Sequence, residues 1–410
     1  GERDGKQYHY TVPSPTSYPF QWFWDSCFHA IILTRLGEID QAKSEIESLL
    51  VWQDEEGFLP HIIFWDSSKM KLLPPHWNWL ETKPFLSFLP LMPKPKTSAQ
   101  IQPPVIAQAV ERIFEARPDK DWLKEILPKL ILYHDWLERF RDPDKDGLIT
   151  IIAPFESGLD QNPAYDQVLG LETAPQAREV LKRNRGVMLR NKLLGYRPKL
   201  INAFGKFSVE DVLVNSTYGQ SLNSLARMAT ICGKEADSDR FKSRAEKVTE
   251  ALLAKCYDQK EGIFWSIYGR EEKPAKVKTL SSLLPLILTD LPEEVVGRLI
   301  DEHLTNPEEF FLPFPIPSVA KDERVFSPSG EEEGGGPSPL WRGPTWINTN
   351  WFLTQGLKLH GCDQLAKEIA QKTKSLALKH GFREYFNPLT GEPGRWSAKS
   401  LGWSALVIDL

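Results

Sequence analysis

Residues 155–166 read FESGLDQNPAYD, which gathers Glu156, Asp160 and Asp166 around Ser157-Gly158 and Asn162-Pro163 in a stretch with no helical or strand period. Far along the chain, REYFNPLTGEPGRWS sets Glu384 ahead of Tyr385, Asn387-Pro388 and a Gly- and Pro-rich turn. Two such carboxyl groups suffice for glycoside hydrolysis. One donates a proton to the leaving oxygen, and the other activates water or attacks the anomeric carbon. The simpler reading of either segment is a solvated acidic loop, and neither segment alone decides between the two. Other chemistries fall away on spacing. The chain has no GxSxG elbow, its eight His show no HExxH or paired-ligand spacing, and no Gly-rich strand-to-helix turn offers a phosphate cradle. Cys27, Cys232, Cys256 and Cys362 lack CxxC spacing, which suits a reduced compartment and argues against zinc. RDPDKDGL begins like a calcium loop with Asp142, Asp144, Asp146 and Gly147, but Ala153 stands where a closing Glu is needed. The expectation is a helix-ending acidic turn, with no metal and no cofactor.

Composition points to the ligand. Of 14 Trp, many stand beside Pro, Gly, Asn, Asp or other polar residues: Trp22 and Trp24 in QWFWD, Trp65, Trp77 and Trp79 in PPHWNWL, Trp341 and Trp346 in LWRGPTW, Trp396 and Trp403. A sugar ring packs its C–H patches on an aromatic face while its hydroxyls need polar neighbours. Net charge is −5 with both signs well mixed, so nothing calls for nucleic acid or an anionic membrane surface. The longest apolar runs are shorter than the roughly 20 residues of a membrane span, and the opening residues resemble no leader. A cytoplasmic protein is expected, with self-association left open.

These residues must be positioned by helices. Apolar residues recur at i, i+3, i+4 and i+7 over 26–36, 39–53, 103–116, 121–140, 208–232, 235–256, 279–288, 292–304, 345–360, 363–379 and from about Ser397. Short strand patterns occur only at 147–152 and 262–267. Roughly a dozen helices at hairpin spacing, without self-similar repeats, predict an all-α toroid closed as an α/α barrel, with 1–410 as a single domain. Long loops at one end would build the site. Residues 171–206 form a basic helical insertion that reads as a lid, and the Gly-rich 327–340 segment reads as a mobile flap.

FWDSCFH, ESGLDQNP, WRGPTWINTNW, REYFNPLTGEP and GWSALV occur in the order of the motif series of glycoside hydrolase family 63, which they resemble over residues 18–408. That family includes processing α-glucosidase I and smaller prokaryotic mannosylglycerate and glucosylglycerate hydrolases. The resemblance implies an (α/α)6 barrel and an inverting, exo-acting α-glycosidase. It implies that Asp160 is the general acid and Glu384 the general base. Asp25, with Trp22 and Trp24, would bind the sugar, together with His61, Gln102, the WRGPTW residues Trp341, Gly343 and Trp346, and Tyr18. LDQNP departs from the family's usual neighbours of the acid, and Glu156 and Asp166 are read as braces of the loop.

Asp160 then needs its pKa raised by burial or a nearby carboxylate, and Glu384 needs hydrogen bonds from Tyr385, Trp or backbone N–H groups to stay ionised. A small carbohydrate is the expected substrate. Mannosylglycerate or glucosylglycerate leads, with Arg190, Tyr196 and Arg197 of the insertion as clamps on the carboxylate. A neutral α-glucoside comes second. A sugar epimerase lacks its histidine pair here, and a silent sugar-binding protein would not need both carboxylates.

Overall fold

The computed structural model describes residues 1–66, 96–172, 174–332 and 335–410. Trp77 and Trp79 lie outside the described residues. Helices form where the periodicity places them: Phe23–Arg35, Ile39–Leu50, Ile106–Ala116, Lys120–Arg141, Val212–Ile231, Glu235–Ala251, Ile347–Leu359 and Asp363–His380. Shorter turns of tighter or wider helix cover Leu280–Ile287, Leu299–Leu304 and Gly402–Ile408. The chain is mostly helical. Strands among the described residues are two residues long, and the expected strand at 147–152 is reduced to a bridge between Ile151 and Val209.

Two kinds of helix are present. Phe23–Arg35, Val212–Ile231 and Ile347–Leu359 are buried on nearly every side, as helices inside a large core must be. Each packs against the next helix in sequence, Ile39–Leu50, Glu235–Ala251 or Asp363–His380, whose outer residues stay exposed. The inner segments meet in a cycle. Phe23–Arg35 packs on Ile106–Ala116, that on Val212–Ile231, and that on Leu280–Ile287. Leu280–Ile287 packs on Ile347–Leu359, that on Gly402–Ile408, and Gly402–Ile408 returns to Phe23–Arg35. Six inner segments thus enclose one continuous apolar core running from Phe23 to Leu406.

The insertion folds as helices Ala177–Leu193 and Pro198–Phe204. Its first helix turns Val180, Asn184, Met188 and Asn191 inward and leaves most of its basic residues on the outer side. The 327–340 segment is tied at several points, with Glu332 accepting from Ala177 N–H, Ser338 N–H donating to the Gly330 carbonyl and Leu340 N–H donating to Gln161 Oε1.

Candidate active site

One cavity of about 220 Å³ is lined by residues from six separated stretches: Pro13, Tyr18, Trp22, Trp24 and Asp25; Gln102; Phe155, Gly158, Asp160 and Gln161; Leu340, Trp341 and Trp346; Glu384; and Leu401 and Trp403. Both candidate carboxylates face it. Of the expected sugar contacts, Tyr18, Trp22, Trp24, Asp25, Gln102, Trp341 and Trp346 face it as well.

The loop that carries Asp160 is held from below. A tight turn at Pro154–Ser157 ends at Gly158, whose φ of 72° is left-handed. A Cβ there would lie 2.5 Å from the Trp24 indole, so both the turn and the ring demand glycine. Glu156 points away from the cavity into a fully buried bidentate pair with Arg141, at 2.7 and 2.5 Å, and also accepts from Ile101 and Ile152 N–H. Asp166 forms a second bidentate pair with Arg342, at 2.7 and 2.6 Å, and Arg342 Nε donates to the Gln161 carbonyl. Tyr165 O–H donates to Asp211, the residue that caps the inner helix Val212–Ile231. Glu156 and Asp166 therefore brace the loop from outside the cavity.

Glu384 sits on an extended segment. Glu384 N–H donates to the Ala398 carbonyl, and Phe386 exchanges two backbone bonds with Thr345 at the foot of the helix Ile347–Leu359. The Glu384 carboxylate accepts from Tyr18 O–H at 2.7 Å and from Ala398 N–H at 3.1 Å. The expected donor Tyr385 is not among these partners, because its ring is turned to pack against Trp346. Tyr18 supplies the side-chain donor in its place.

Aromatic rings build the walls. Trp341 and Trp346 stack with centroids 3.6 Å apart, and Trp403 bridges Trp346 to Trp24 through edge contacts. Trp341 carries a left-handed φ of 63°, a strained conformation held by its neighbours. Gly343 does not line the cavity. A Cβ there would press 2.7 Å from the Ser327 backbone, so this glycine lets WRGP cross over the 327–340 segment. Trp22 Nε1, Trp346 Nε1, Trp403 Nε1 and Asp25 Oδ1 are buried without a hydrogen-bond partner among the described residues. All four atoms belong to residues that line the cavity.

Electrostatics follow from burial. Desolvation raises Asp160 to about 6, against hydrogen bonds from its own backbone, Gln161 and Trp341. Desolvation raises Glu384 to about 7, opposed by Tyr18 and Ala398 and helped by the charge of Asp160. It also raises Asp25 to about 7. Glu156, paired with Arg141, is not a cause of the rise at Asp160, so of the two expected sources burial is the one that acts.

Besides Gly343, four expected residues lie elsewhere. His61 is fully buried behind Trp22, edge-on to its ring, with Nδ1 at 2.8 Å from Ser98 Oγ, and burial lowers it to about 3. It supports the wall as a neutral ring. Tyr196 packs with Ala99, Ile152 and Ile201 in a separate apolar cluster, and Arg190 Nε donates to the Phe204 carbonyl. Arg197 begins the short helix Pro198–Phe204. None of these three lines the cavity. The insertion accordingly does not present its basic face to the site as a lid would. Its apolar and amide face meets the rest of the protein, with Asn184 Nδ2 donating to the Asp160 carbonyl and Asn191 Nδ2 to the Ile152 carbonyl. Sequence reasoning missed Phe155, Gln161, Leu401 and the cavity role of Trp403, although Trp403 stands in the GWSALV motif.

Residues 18–404 match the mannosylglycerate hydrolase MGH1-like glycoside hydrolase domain. The chain therefore belongs to that family and is a glycoside hydrolase. It is 30% identical to mannosylglycerate hydrolase of Thermus thermophilus, over 97% of this chain and 95% of that one. It is 26% identical to glucosylglycerate hydrolase of Mycolicibacterium hassiacum, over 97% and 93%. The crystal structure of the GH63 mannosylglycerate hydrolase from Thermus thermophilus in complex with Tris and D-glycerate superposes with a TM-score of 0.84 at 29% identity, covering 97% of this chain and 95% of that one.

Proposed function

We propose that the chain is an inverting, exo-acting α-glycosidase of a single (α/α)6-barrel domain, with Asp160 as general acid and Glu384 as general base. The closed cycle of six inner segments supports the barrel. The observation that carries the reaction is the pairing itself: two buried carboxylates facing one small cavity, among indole N–H groups and an Asp25 oxygen that no described protein group satisfies. The cavity, about 220 Å³, lies below the roughly 300–1,000 Å³ of sites for drug-sized ligands. It suits one sugar ring with a small aglycone.

Burial brings both carboxyl groups of the free enzyme close to neutral pH, Asp160 to about 6 and Glu384 to about 7, whereas inversion requires Asp160 protonated and Glu384 ionised. A water between Glu384 and the anomeric carbon donates to the carboxylate and favours its ionised form. A glycosidic oxygen accepting from Asp160 favours the protonated acid. The substrate thus draws the pair into its working state, Tyr18 fixing the base throughout. Inversion needs the two groups roughly 6.5–9.5 Å apart, with that water between.

The relatives' names favour mannosylglycerate or glucosylglycerate as substrate. A neutral α-glucoside remains the second reading, because no Lys or Arg is among the described residues that line the cavity. Hydrolysis rates on a panel of both glycerate glycosides and α-glucose disaccharides separate the two. Preference for a glycerate glycoside supports the first, and equal or better rates on a neutral disaccharide overturn it.

A further inference from the structure

A second cleft, of about 520 Å³, lies between the helix Phe23–Arg35, the end of the helix Asp363–His380 and the segment 399–402. Among the described residues Leu401 alone lines both this cleft and the sugar cavity. The charged lining of the cleft has one sign. Arg383 and Lys399 line it, with His29, His380 and Ser400, and no Asp or Glu is among the described residues that do so. In a chain with 55 acidic residues against 50 basic ones, such a lining departs from the average surface.

Arg383 and Lys399 are partners in an antiparallel bridge, which sets the two cations side by side on one face of the strand pair. Like charges directly opposite each other destabilise such a pair. No carboxylate relieves them, since neither side chain makes an ion pair or a hydrogen bond with a described residue. The acids near the two imidazoles stand off, with Glu45 Oε1 3.9 Å from His29 Nδ1 and Glu392 Oε2 3.7 Å from His380 Nδ1. Both are engaged elsewhere, Glu45 with Thr11 N–H and Ser26 Oγ, and Glu392 with Lys379. His29 is only 3% exposed, and neither of its ring nitrogens, nor Nε2 of His380, has a hydrogen-bond partner among the described residues. Buried polar groups are normally paired, so the protein leaves the polar wall of this cleft incomplete.

We propose that the cleft binds a small oxyanion, a phosphate or a carboxylate group, between Arg383 and Lys399. The two side chains suit such an anion, the guanidinium as a two-pronged donor and the ammonium as a point charge. The next pair of the same two strands is Glu384 and Ala398, joined by a backbone hydrogen bond of 3.0 Å and by Ala398 N–H donating to the Glu384 carboxylate at 3.1 Å. A bound anion therefore ties the strands together one residue away from the carboxylate that faces the sugar cavity.

The test uses the full chain in phosphate-free buffer, titrated with sodium phosphate or sodium acetate against sodium chloride of equal ionic strength, under calorimetry and thermal unfolding. About one phosphate per chain is expected to bind. At about ten times the dissociation constant the unfolding temperature is expected to rise about 1–3 °C above that in chloride. Tighter binding of phosphate assigns the site to a phosphate group and tighter binding of acetate to a carboxylate, and either result supports it. Lys399→Gln and Arg383→Gln are each expected to weaken binding at least about tenfold, with unfolding in chloride close to that of the wild-type chain. Lys399→Arg, which keeps the charge, is expected to retain binding. Phosphate also stabilises proteins in general, by its exclusion from their surface. A rise in the double variant Arg383→Gln, Lys399→Gln equal to the wild-type rise therefore overturns the proposal. So does the absence, in the wild-type chain, of both binding heat and any rise above chloride with either anion.

Discussion

Tyr18 hydrogen-bonds Glu384, the proposed base, and its ring meets Trp22 edge-on, so one side chain links the wall of the cavity to the proposed chemistry. Its loss has a signed consequence. The hydroxyl favours ionised Glu384, and Tyr18→Phe therefore raises the Glu384 pKa further above that of Asp160. The proposed roles require Asp160 protonated and Glu384 ionised. With Glu384 the higher of the two, a profile of kcat/KM against pH has its acid limb near Asp160's value of about 6 and its alkaline limb near Glu384's value of about 7. The variant is expected to move the alkaline limb to higher pH and leave the acid limb in place. Its maximum falls about tenfold if that limb moves by about one pH unit. Movement of the acid limb instead would place the higher pKa on Asp160.

Between the residues and the whole fold stand the elements that aim them. Glu156→Gln leaves the buried Arg141 guanidinium without its carboxylate and is expected to destabilise the fold by about 3–5 kcal/mol, read from denaturant unfolding. Asn184→Ala removes a donor from the Asp160 carbonyl without touching the cavity. It is expected to lower kcat about tenfold with KM nearly unchanged, since it loosens the aim of the acid rather than the grip on substrate. An unchanged kcat would reduce the insertion to a surface ornament. This contact also shows where sequence reasoning stops. The basic residues of 171–206 dominate its composition and suggest a lid with Arg190, Tyr196 and Arg197 as clamps. What decides the packing is a sparse inward stripe of Val180, Asn184, Met188 and Asn191, polar enough to be invisible to a hydrophobic period. The braces were more legible. Charges gathered on a short Pro- and Gly-rich loop needed partners, and Arg141 and Arg342 supply them from outside it.

At the scale of the molecule, helix spacing alone located nearly every inner and outer segment, because a core helix and its amphipathic partner differ in how much of their surface is apolar. Hairpin spacing without self-similar repeats predicts closure of the ring, but not the contact that makes that closure. It depends on Gly402–Ile408, a short turn of helix at the end of the sequence, packing back on Phe23–Arg35. The cavity residues were readable where they sit in motifs and unreadable where they are ordinary apolar side chains such as Phe155 and Leu401. A cavity of about 220 Å³ also limits the substrate. Long α-glucans are expected to be cleaved far more slowly than disaccharide-sized glycosides, and comparable rates would contradict an exo-acting pocket. The central claim is that Asp160 protonates the leaving oxygen while Glu384 directs water to the opposite face of the sugar. Proton NMR of the first sugar released from an α-linked substrate tests it most directly. The account predicts the β-anomer, and initial release of the α-anomer would contradict it.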